Sequence, residues 1–128
     1  MKLRFENNSI RLRVKKSDIQ KLNTEGVIEE LVAIAPGATF IYKLRLDPKG
    51  TNIHAHLKDR AITVCIPEQQ GRHWIQSEEV GVEITQQLDE KNQLYILIEK
   101  DFPCKDRPEE DQSDTFKELA NKTENPAC

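Results

Sequence analysis

Five separate stretches of this chain alternate apolar and polar residues with the strict two-residue period of a half-buried β-strand. Ile10, Leu12 and Val14 alternate with Arg11, Arg13 and Lys15, and Phe40, Tyr42, Leu44 and Leu46 flank Lys43 and Arg45. Ile53, Ala55 and Leu57 alternate with His54, His56 and Lys58, Ile62, Val64 and Ile66 with Thr63 and Cys65, and Val80, Val82 and Ile84 with Glu79, Glu83 and Thr85. A helix would scatter such apolar residues around its axis, whereas a strand puts them all on one face. Each run therefore needs something to cover that face. Leu94–Ile98 is apolar on both faces and reads as a central strand. Pro36-Gly37, Asp47-Pro48-Lys49-Gly50, Lys58-Asp59 and Asp89-Glu90-Lys91-Asn92 punctuate the runs. Links this short favour antiparallel pairing.

Two helical segments interrupt the strands. Ser17 and Gln20 have the spacing of a capping box, and Gly26 stops the helix that follows. The second segment, Pro67–Ile75, opens on a proline and an acid, and Gly71 weakens it. Trp74 is expected to plug the gap between this helix and the strands. No internal repeat is visible. The fold class expected is α+β: a mostly antiparallel, rolled sheet or small β-barrel of seven or eight strands with two short helices. Two short helices cannot cover so many one-sided strands, and a barrel covers its own apolar face.

Charge divides the chain. Residues 101–128 carry eight acids and four bases, a net of −4, whereas residues 1–100 carry fifteen bases and fourteen acids. The expectation is one folded domain over 1–102 and an acidic C-terminal tail, 103–128, wrapped on it, with Phe102 and Phe116 as apolar anchors. The 128 residues suit a single core. The N-terminus, Met1-Lys2-Leu3-Arg4-Phe5-Glu6, lacks the apolar core of a secretory signal, and the longest apolar run, Leu31–Ala35, is far too short to cross a membrane. A cytoplasmic location and no membrane partner are expected. The net charge of −3 argues against a general nucleic-acid coat.

Residues near both ends resemble a bacterial family of small uncharacterised cytoplasmic proteins of about this length. At the start these are Asn8-Ser9-Ile10-Arg11-Leu12-Arg13, Lys16-Ser17-Asp18, Glu29-Glu30 and Pro36-Gly37. At the end they are Glu99-Lys100-Asp101-Phe102, Cys104, Glu110-Asp111-Gln112, Asp114, Asn125-Pro126 and Cys128. The stretch Lys117–Thr123 is additional to that pattern. The resemblance implies no activity.

Three groups of residues are candidates for function. The first is a basic face. Residues 1–22 carry a net +5, with Arg11, Arg13 and Lys15 in strand register and Lys43 and Arg45 on a later strand. This face suits the chain's own acidic tail or an anion, with weak nucleic-acid or polyphosphate binding on Arg11, Arg13 and Lys15 as the alternative. It lacks the interleaved aromatics of a single-strand binding platform. A polyphosphate enzyme would need paired acids for Mg²⁺ beside the cations, and the early strands offer Glu6 alone. The second group is Cys104 and Cys128, open to three readings: packing within the wrap, a disulfide, or metal ligation among the tail carboxylates. The third is His54 and His56, whose spacing puts both imidazoles on one strand face as two metal ligands, with His73 or Glu83 to complete the shell. Cys65 reads as a small packing residue.

No glycine-rich phosphate loop or Gly-x-Ser-x-Gly elbow is present. The sequence therefore leans away from an enzyme and towards a small interaction or regulatory module. It needs no cofactor, unless a metal ion binds at one of these groups, and its partner would be another protein.

Overall fold

The computed structural model describes residues 1–101. The expectations for Phe102, for the wrapped tail and for Cys104 and Cys128 fall outside the described residues. Strands β1 (Lys2–Glu6) and β2 (Ser9–Val14) form a hairpin, helix α1 (Lys16–Glu25) follows, and β3 (Val27–Ala35) and β4 (Ala38–Asp47) form a second hairpin. The same order then recurs: hairpin β5 (His54–Lys58) and β6 (Ala61–Pro67), helix α2 (Glu68–Gln76), hairpin β7 (Gly81–Gln87) and β8 (Gln93–Lys100). A hairpin–helix–hairpin unit is thus used twice, although the two halves share no visible sequence pattern.

The two units exchange hairpins. One sheet has the order β1-β2-β8-β7 and the other β3-β4-β6-β5. Each is sealed at its centre by a parallel pair, β2 with β8 and β4 with β6, flanked by antiparallel hairpins. The α+β class stands, with eight strands and two helices among the described residues. The barrel does not: the described residues form two separate mixed sheets, and neither closes among them. The apolar faces are covered by each other instead. Ile10, Leu12, Val14, Ile96 and Ile98 of the first sheet share one buried cluster with Ile28, Leu44, Leu46, Val64 and Ile66 of the second.

The helices complete that cluster with Leu22 and Trp74, both without exposed surface. Burying a side chain of this size contributes about 1.5–3 kcal/mol. Trp74 also donates its indole N–H to the Val80 carbonyl at 3.3 Å. The start of α1 differs from the capping box expected at Ser17. Lys15 is the cap residue, and Asp18 Oδ2 accepts its backbone N–H at 2.9 Å. A carboxylate near the positive end of a helix outcompetes a neutral hydroxyl. At the other end Gly26 takes φ 77° and its N–H reaches the Leu22 carbonyl at 2.8 Å, as its position predicts. No helix among the described residues is long and apolar enough to cross a membrane.

Candidate metal centre

The pairing registers put the outward-facing residues of each sheet in rows. In the second sheet one row runs Val27, Arg45, Cys65, His54 and the next Glu29, Lys43, Thr63, His56. In the first sheet the matching rows are Gly81, Glu99, Arg13, Lys2 and Glu83, Leu97, Arg11, Arg4. The two-fold repetition of the fold therefore sets His54, His56 and Cys65 where the first sheet has Lys2, Arg4 and Arg13. It sets Arg45 where the first sheet has Glu99. One scaffold carries two outer faces of different chemistry.

The face of the first sheet is an ion-pair network. Glu99 Oε1 accepts Nε–H from Arg11 at 2.9 Å and from Arg13 at 2.7 Å. Arg13 Nη1 lies 3.9 Å and Lys2 Nζ 3.6 Å from Asp101, and Arg4 pairs with Glu6 at 3.0 Å. Lys2 opposite Arg13 and Arg4 opposite Arg11 are like-charge cross-strand pairs, an unfavourable arrangement that these carboxylates offset. The Tyr95 hydroxyl donates to Glu83, which with partial burial holds its proton on until a pH of about 12. The basic residues singled out in the sequence are not one patch. Arg11 and Arg13 lie on this face, Lys15 caps α1, and Lys43 and Arg45 belong to the other sheet.

The face of the second sheet brings His54, His56 and Cys65 together. One potential ligand atom from each lies within 4.8 Å of the others. The imidazoles stack at 6.1 Å between ring centroids. His54 Nδ1 is 3.2 Å from the Asn52 carbonyl oxygen. A ring N–H donated there leaves Nε2 with the lone pair, the arrangement by which backbone carbonyls orient metal-ligating histidines. Cys65 is fully buried, and Arg45 Nη2 donates to its Sγ at 3.6 Å. Burial pushes the thiol's pKa up, and the Arg45 charge and hydrogen bond offset this only in part. A cavity of about 400 Å³ adjoins the group, lined by His54, Asp47 and the Lys49–Ile53 loop, with Ile84 and Gln86 across it.

His73 and Glu83 do not join this group. His73 lies 4.0 Å from Glu79 at the end of α2, and Glu83 is on the other sheet. The third member is Cys65, which the sequence reading assigned to packing. The missed signal was the hairpin register. Asp59 and Arg60 both take positive φ, 51° and 64°, so the two-residue turn is Asp59-Arg60. That pairs Lys58 with Ala61 and sets His54 opposite Cys65. With the turn at Lys58-Asp59 instead, His54 would face Thr63.

The fold and these two faces define a class: a two-sheet α+β protein with a His₂Cys group on one sheet and an arginine–glutamate network on the other. The chain belongs to the family of unknown function DUF7009, which matches residues 1–120. The resemblance to an uncharacterised family is thereby confirmed. The matched span ends before Asn125, Pro126 and Cys128 of the closing pattern. No curated protein and no solved structure matches the chain.

Proposed function

We propose that this protein is a metal-binding module that holds a borderline-soft divalent cation, Zn²⁺ being the type case, on the outer face of its second sheet. His54, His56 and Cys65 are the ligands, and water completes the shell. The observation that carries this reading is the approach of the three donor groups to within 4.8 Å. Zinc takes nitrogen at about 2.0–2.1 Å and thiolate sulfur at about 2.3 Å, so the donors must close in by roughly an ångström. His54 and His56 stand on an edge strand, where χ rotations suffice. Two imidazoles and one thiolate select zinc or cobalt over magnesium and calcium, which prefer oxygen.

The first sheet supports a binding role less well. Arg11 and Arg13 are engaged with Glu99 and Arg4 with Glu6, so an external anion must compete with carboxylates already paired to them.

Co²⁺ titration of protein prepared without a histidine tag tests the reading, because cobalt–thiolate coordination gives a near-ultraviolet charge-transfer band. The expected result is one equivalent bound, the band lost in Cys65→Ala, and affinity lowered at least about ten-fold in His54→Gln and in His56→Gln, one ligand's worth each. A folded protein that shows no band, or histidine variants that bind as tightly as the parent, would overturn it.

A further inference from the structure

The metal reading leaves one charged side chain unexplained. Arg45 Nη2 is 3.6 Å from Cys65 Sγ, so a guanidinium lies against the sulfur that a cation would use. The same nitrogen is 3.8 Å from Asp47 Oδ2. Asp47 is held by the turn it begins: its Oδ1 accepts the Lys49 N–H at 3.1 Å and its carbonyl accepts the Gly50 N–H at 3.2 Å. Arg45 is thus poised between a buried sulfur and a fixed, mostly covered carboxylate. Its own side chain is 41% exposed and open to solvent, and Asp47 lines the cavity beside His54.

Resting on the metal reading, we infer that Arg45 is a gate for the site: it caps Cys65 in the metal-free protein, and metal binding drives it off the sulfur and onto Asp47. A dication and a guanidinium about 4 Å apart repel each other strongly where water is partly excluded, so both cannot sit on one sulfur. When the metal–sulfur bond forms, the thiol proton leaves to solvent, while Arg45 keeps its charge and exchanges a sulfur acceptor for a carboxylate. Arg45 is then a positioning and regulatory residue, not a ligand. It sets an affinity threshold, because each binding event must displace it. Asp47 sets how easily it leaves.

The test is a double-mutant cycle read by Co²⁺ affinity and the thiolate band. Arg45→Met keeps the aliphatic stem and removes the charge, and Arg45→Gln serves as a second neutral variant. Both are expected to bind Co²⁺ about ten-fold more tightly than the parent. Asp47→Asn is expected to weaken binding in the parent and to have little effect in the Arg45→Met background, since Asp47 acts through Arg45. If the band forms but Arg45→Met and Arg45→Gln bind no more tightly than the parent, the gate is overturned and the site stands. If Asp47→Asn weakens binding equally in both backgrounds, Asp47 acts on the metal directly and is not the receiver of Arg45. If no variant and not the parent gives the band, the site itself fails.

Discussion

The Met1 ammonium is half-buried and lies 3.0 Å from Asp18 and 3.1 Å from Glu30. Its carbonyl accepts the Tyr42 hydroxyl at 2.9 Å, so the first residue is tied to α1, β3 and β4 at once. Burial and the neighbouring Glu30 and Asp18 charges raise the Tyr42 pKa, which keeps that hydroxyl a donor. For Asp18, burial alone would raise the pKa. The Lys15 N–H and the Met1 ammonium outweigh it, and the pKa falls below its ordinary 3.8. A carboxylate with a lowered folded pKa adds stability that is fully present above its unfolded value and is lost as the pH falls through the folded one. Asp18→Asn is therefore expected to lower unfolding stability by about 1 kcal/mol at pH 7, since it discharges one partner of a half-buried ammonium. The parent should lose that advantage as the pH falls below the ordinary carboxylate range, and the two proteins should converge once Asp18 is protonated in both states. Thermal unfolding of both across this range checks it. A difference that persists unchanged in acid would assign the effect to packing.

At the scale of elements, the alternating runs were legible because the signal is local, and so were the turns apart from the one-residue shift at Asp59-Arg60. Every one of the five runs is a strand or supplies most of one. Gly71 shows what local reasoning omits. By propensity it weakens α2 by about 1 kcal/mol relative to alanine. In the folded chain it is buried, and a methyl group at that position would overlap Leu46 Cδ2 and press on Ile66 Cγ2 at 3.2 Å. Glycine here lets the helix lie directly on β4 and β6. Overpacking a core costs about 1–3 kcal/mol, which exceeds the propensity gain. Gly71→Ala should thus destabilise the protein by about 1 kcal/mol despite improving the helix. Chemical denaturation decides it, and a stabilised variant would mean that Leu46 yields without strain. The His₂Cys group was half legible for the same reason. His54 and His56 share a face by spacing alone, but Cys65 joins them only through a register set by Asp59 and Arg60.

At the scale of the whole molecule, the exchange of hairpins was not legible, because nothing in a strand's own sequence names a partner 20 residues away, as for β4 and β6, or 86 residues away, as for β2 and β8. Three of the short links join antiparallel hairpins, whereas Asp47–Gly50 joins β4 to β5, which β6 separates in the sheet. They carried no information about β2 with β8 or β4 with β6, the parallel pairs that turn four hairpins into two sheets. The expectation of a barrel treated the strands as one continuous surface. Two facing sheets with Trp74 and Leu22 in the shared core satisfy the same apolar residues without closing. This topology makes the halves interdependent. Residues 1–50 hold β1-β2 and β3-β4, one hairpin from each sheet, and residues 51–128 hold the other two. Separated at the Gly50-Thr51 link, each fragment would present an inner strand of each sheet unpaired and half of the core to water. An isolated hairpin is at best marginally stable. Each fragment alone is therefore expected to lack a cooperative unfolding transition. An equimolar mixture should recover the strand signal and the buried fluorescence of Trp74 through a concentration-dependent association. If either fragment folds alone with its own transition, the hairpins pair within a half, and the exchanged topology is wrong.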